Sequence, residues 1–139
     1  MPEGIQKPVL KKKPWWLRLL TPDDFAVTIY PNIYLPAGKA GLDEVAYGHE
    51  FVHWAQQEKA GSIVWWIVKY LIMRPFRREM ELVAFRTTIR ILVGRNQWTQ
   101  IYRTWLIRKL SGLTYFYMMS SKEASKWVDE AVKEARRGR

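Results

Sequence analysis

The chain has 139 residues, 48% of them hydrophobic, which is enough for one domain to bury a core without covalent staples. It contains no cysteine, which excludes disulfide frameworks, thiolate zinc sites and thiol nucleophiles, so any metal site has to be built from His, Asp and Glu. The net charge of +10 is unevenly spread: five basic residues against one acid in 1–20, three against six in 21–73, and nine against two in 74–109, leaving the middle stretch suited to a cation.

Residues 1–20 read as a basic N-terminal arm and 21–139 as the domain. The arm holds two proline-bounded pieces and the run Lys11-Lys12-Lys13, then a short amphipathic segment with Trp15 and Trp16. Docking on its own domain is the default expectation, ahead of covering a cleft or lying on a membrane surface. The apolar part of the arm is short and broken by Arg18, so no secretory signal is read there. Residues 62–73, SIVWWIVKYLIM, are too few to span a bilayer and enclose Lys69, so a buried helix is expected. The location expected from this is the cytoplasm or a virus particle.

From Phe25 the pattern has period two, with Phe25, Val27 and Ile29 on one face and Ala26, Thr28 and Tyr30 on the other, the mark of a half-buried strand. Pro31-Asn32 turns the chain, and Ile33 to Leu35 resumes it before Pro36-Ala37-Gly38. The spacing predicts a hairpin whose second strand offers an edge to an extended peptide. A helix is predicted from about Leu42 to Lys59, with Asp43 and Glu44 in its first turn, Gly61 ending it, and Val45, Val52 and Ala55 toward the core. Ser62 caps a second helix, Pro75 opens a third that stops at Gly94, and Asn96 caps a fourth with Trp98, Ile101, Tyr102, Trp105 and Leu106 as a core stripe. Residues 113–119 read equally as a short strand or an irregular loop. Ser120 and Glu123 form an S-x-x-E capping pattern for a last helix with Ala124, Trp127, Val128, Ala131 and Ala135 in one stripe. The expected class is therefore α+β, a small antiparallel hairpin or sheet packed on a mostly helical domain.

The chemistry centres on His49-Glu50-Phe51-Val52-His53, which holds the only two histidines of the chain. Residues i and i+4 share a helix face, so both imidazoles can address one ion while Glu50 stands beside them. Two histidines placed at random would show this spacing, with Glu in second place, on the order of once in a thousand such chains. A catalytic zinc takes three protein ligands and keeps a position for water, so one more ligand is needed. If the motif helix continued in the metzincin manner, Gly would stand at 56 and His at 59, but those positions are Gln56 and Lys59, which excludes that class, and Glu58 is turned away from His49. Glu79 and Glu81 remain. They project in different directions, and Glu81 is favoured because small Ala84 lies one turn on, where close packing toward the motif helix is needed.

The segments TIYPNIYLPAG, YGHEFVHWAQQEKAG and RPFRREMELVAF, from Thr28 through Ala84, resemble the small single-domain zinc metallopeptidases of the gluzincin clan, the minigluzincin-like proteins. The resemblance covers about 57 residues; Phe85 stands where members with a longer motif carry Asp. It implies a zincin-like fold, zinc held by His49, His53 and Glu81, Glu50 as general base, and an edge strand that aligns a peptide or protein substrate. Tyr70, Tyr115 and Tyr117 are candidates for steadying a developing oxyanion. Two other readings compete: a zincin-like scaffold serving in a larger assembly without turnover, and a basic helical protein that binds nucleic acid or membrane and carries HEFVH by accident. The basic surface allows an anionic partner without specifying nucleic acid or lipid.

Overall fold

A computed structural model describes residues 7–112, 115 and 117–138. The architecture is α+β, mostly helical with one three-stranded sheet. Contacts gather the chain into two compact units, Met1–Ile67 and Val68–Arg139.

In the first unit, β1 (Val9–Lys12) and α1 (Trp15–Leu20) come from the arm, followed by β2 (Val27–Ile29), β3 (Asn32–Leu35) and α2 (Glu44–Lys59). β2 and β3 form the predicted antiparallel hairpin, with Val27 opposite Tyr34 and Ile29 opposite Asn32. The expected open edge on β3 is not there. β1 lies parallel along it, from Val9 opposite Asn32 to Lys12 opposite Leu35, so the sheet order is β1-β3-β2 and β3 is central. The unpaired donors and acceptors of a strand edge are satisfied by the nearest extended segment, and here the arm supplies it. Thr28, Ile33 and Leu35 form the buried face, and α2 packs on β2 and β3.

The arm is tied down where it turns. Leu17 is buried, and the Lys13 ammonium donates to Thr21 Oγ1 at 2.9 Å and to the Pro22 carbonyl at 2.7 Å. α2 starts at Asp43, whose side chain accepts from the Ala46 amide at 2.8 Å, and it gives way to Gly61 at φ +74°, a conformation glycine adopts without a Cβ clash. Its buried residues are His49, His53, Trp54 and Gln57, while Val45, Val52 and Ala55 are only half-buried. The most enclosed stripe of this helix is thus polar, at i, i+4 and i+8.

α3 (Ile63–Ile72) was expected to be buried, yet only Trp66 is; Val64, Trp65, Leu71 and Ile72 are exposed. No described helix is long and apolar enough to cross a membrane.

The second unit packs α6 (Ser121–Arg137) against α4 (Arg74–Gly94) and α5 (Gln100–Ser111). Its core gathers Phe85, Ile89 and Val93 of α4, Leu106 and Leu110 of α5, Met118 and Met119, and Ala124, Val128, Ala131 and Val132 of α6. The capping box at Ser120 and Glu123 is formed in both directions. α5 departs from expectation at two points. Thr99, not Asn96, is its cap, accepting from the Tyr102 amide, and Asn96 sits at φ +58°, a left-handed position its short polar side chain tolerates. Of the expected core stripe only Leu106 is buried: Ile101 is 82% exposed, Tyr102 and Trp105 are exposed too, and Leu110, outside that stripe, is the second anchor of the helix. Of the ambiguous stretch 113–119, residues 113, 114 and 116 lie outside the described residues.

Candidate metal centre

The motif helix delivers both histidines inward. His49 and His53 are buried, with ring centroids 4.9 Å apart and planes at 81°, as an i, i+4 pair stacked along one helix face allows. His53 Nδ1 lies in hydrogen-bond contact with Gln56 Oε1 at 2.9 Å. With the proton on Nδ1 this nitrogen donates to the amide oxygen and leaves the lone pair on Nε2, the tautomer that a metal-ligating imidazole needs. The indole of Trp66 meets the His53 ring edge-on at 6.0 Å and shields it.

Glu50 faces the sheet. The Thr28 hydroxyl donates to Glu50 Oε2 at 2.6 Å, fixing the carboxylate at one oxygen. Two further side chains fasten the same helix to the hairpin: the Gln57 amide donates to Thr28 O at 2.9 Å and accepts from the Tyr30 amide at 2.7 Å, and Trp54 Nε1 donates to Pro31 O at 3.1 Å.

On α4, the two candidate glutamates separate cleanly. Glu79 is exposed and Glu81 is buried, with Ala84 fully enclosed one turn on. Tyr70 donates its hydroxyl to Glu81 Oε1 at 2.5 Å. Arg77, also buried, donates to the carbonyls of Tyr70 at 2.8 Å and Leu71 at 3.2 Å, satisfying the end of α3 beside that tyrosine. Glu58 is exposed. His49, His53 and Glu81 are a group that could hold a metal ion: each offers one ligand atom, and these atoms lie within 4.8 Å of one another.

Comparison with family models, curated proteins and solved structures finds no match. The centre is therefore read from its own chemistry. Two imidazole nitrogens and one carboxylate oxygen form a donor set of the kind zinc takes in catalytic sites. The three candidate tyrosines differ in their placement: Tyr70 is engaged with Glu81, Tyr115 packs edge-on against Phe85 at 5.8 Å, and Tyr117 is exposed on a left-handed backbone with its carbonyl accepting from Arg74. Thr28, Gln56 and Gln57 were not singled out from the sequence. Gln56 and Gln57 stand three and four residues beyond His53, a spacing that marks helical neighbours; nothing in the sequence marks Thr28.

Proposed function

We propose that the chain is a zinc-dependent peptidase of zincin-like, gluzincin type, in which His49, His53 and Glu81 hold the ion and Glu50 is the general base. One observation carries this reading: a buried donor set of two histidines and a glutamate, with ligand atoms within 4.8 Å, in which the first histidine is followed in sequence by a glutamate that is not part of the set. Zinc bound there would supply a water of pKa about 7 and polarise a carbonyl oxygen.

The residues of the chain do the rest. Glu50 takes a proton from the attacking water and returns it to the leaving amine. Thr28 restrains Glu50 at Oε2, so the free motion of the carboxylate is small and Oε1 carries the proton. Gln56 fixes the tautomer of His53, and Tyr70 fixes the rotamer of Glu81.

The test is metal content by elemental analysis together with hydrolysis of a peptide library. One zinc per chain is expected in the wild type and in Glu79→Ala, and none in Glu81→Ala. Glu50→Gln keeps its zinc and loses turnover by roughly a hundredfold to ten-thousandfold. A protein that takes up no metal when zinc is supplied, or a Glu50→Gln variant of undiminished activity, overturns the reading.

A further inference from the structure

The six residues of α1 hold an unusual surface. Trp15, Trp16, Leu19 and Leu20 are 75%, 43%, 78% and 76% exposed, and only Leu17 is buried. At 100° per residue these four side chains fall within an arc of about 140°, so they make one apolar face. The face is presented rather than loose: Leu17 anchors its opposite side, Thr21 closes the helix onto the Leu17 carbonyl through both its amide and its hydroxyl, and the Lys13 ammonium ties the incoming chain to Thr21 and Pro22.

Charge says what covers it. Between residues 7 and 20 there are five basic side chains and no acid. Lys7, Lys11, Lys12 and Arg18 are exposed; Asp23 approaches Arg18 at 3.7 Å in an exposed pair that contributes little, and Asp24 is exposed nearby. A second copy of the chain would meet this face with the same positive charge and be repelled. Nucleic acid phosphates would satisfy the lysines and leave Leu19 and Leu20 in water. A bilayer surface rich in anionic lipid meets both demands, since indoles and leucines settle at the boundary between headgroups and acyl chains while lysines reach the headgroup charge. α3 also exposes Val64 and Trp65, but Lys69 is the one basic residue on that helix, so it lacks the second signal.

We propose that the arm from Lys7 to Leu20 is a peripheral membrane anchor, with Trp15, Trp16, Leu19 and Leu20 entering the interface of an anionic bilayer and Lys7, Lys11, Lys12 and Arg18 engaging its headgroups. This rests on the arm alone and is independent of the metal centre.

The test is co-sedimentation of the full chain with vesicles of phosphatidylcholine, with and without phosphatidylserine, at low and high salt. Binding to the phosphatidylserine vesicles is expected, weak or absent on pure phosphatidylcholine, and reduced by salt. Lys11→Gln and Lys12→Gln each lower the partition by about fivefold. Leu19→Ser with Leu20→Ser abolishes it, and circular dichroism shows that both sets of variants stay folded. Equal partition on the two vesicle types, no partition on either, or binding untouched by the leucine changes overturns the proposal, as does concentration-dependent self-association that the leucine changes remove.

Discussion

At the scale of single residues, the fully enclosed Gln57 side chain acts as a piece of strand. Its amide donates to one backbone carbonyl of β2 and accepts from an amide two residues on, the pairing a neighbouring strand would make. Gln57→Leu leaves both groups without that partner, so a loss of about 2–4 kcal/mol is expected, read by urea unfolding. A loss under half of that would mean that water takes over the pairing. In the proposed peptidase, Thr28 would act on the chemistry through its bond to Glu50. Thr28→Val is expected to cut peptide turnover by about tenfold or more with zinc retained, and Thr28→Ser to restore it, because the lost bond is to a charged acceptor. An unchanged rate in Thr28→Val would remove Thr28 from the mechanism. These two residues lay beyond sequence reasoning for one reason: each acts across more than twenty residues of chain, through a strand register that no local pattern encodes. HEFVH was legible because helical spacing alone puts His49 and His53 on one face. Glu81 stood out from Glu79 because of a small residue one turn away.

At the scale of elements, α5 is held to α6 by a forked pair. Arg103 Nε and Nη2 donate to the two oxygens of Asp129 at 2.7 and 2.9 Å. Hydrogen bonding to Arg103 holds the Asp129 carboxyl below its usual range, and the same bond to Asp129 raises the Arg103 guanidinium. A carboxylate with a depressed folded pKa adds stability that is present above its unfolded pKa and is lost as pH falls through the folded value. The wild type is therefore expected to be more stable than Arg103→Gln at about pH 7, by no more than about 1 kcal/mol for so exposed a pair, and the gap is expected to close by about pH 2. Melting curves of both proteins at the two pH values measure it; a gap that persists in acid would assign the effect to packing. The same helices show where sequence patterns serve well and badly. The α6 capping box and its alanine and valine stripe were readable because cap and stripe are local and agree. The stripe read for α5 held only at Leu106, because spacing reports which residues share a face, not which face turns inward: the inward face runs through Leu106 and Leu110 and leaves Ile101, Tyr102 and Trp105 outside.

For the molecule as a whole, the proposed site of buried ligands would make stability depend on metal supply. An ion that binds the folded chain and not the unfolded one stabilises by mass action, about 2.7 kcal/mol at a hundredfold excess over Kd, which raises the melting temperature by roughly 5–10 °C for a chain of this size. Zinc is expected to produce that rise in the wild type, a chelator to reverse it, and Glu81→Ala to abolish it; a melting curve indifferent to zinc would argue against the centre. The α+β class followed from period-two and helical patterns taken in order. The mixed sheet did not, because an arm of lysines and prolines carries no signal that it will pair, and in parallel, with the far strand of a hairpin that lies beyond a helix. That pairing also carries a hazard. A protease that cut the chain just before Pro14 would strip β1 from the sheet and bare the backbone of β3 along its length, so the clipped protein would be a template for edge-to-edge aggregation rather than a merely shortened version of the same molecule.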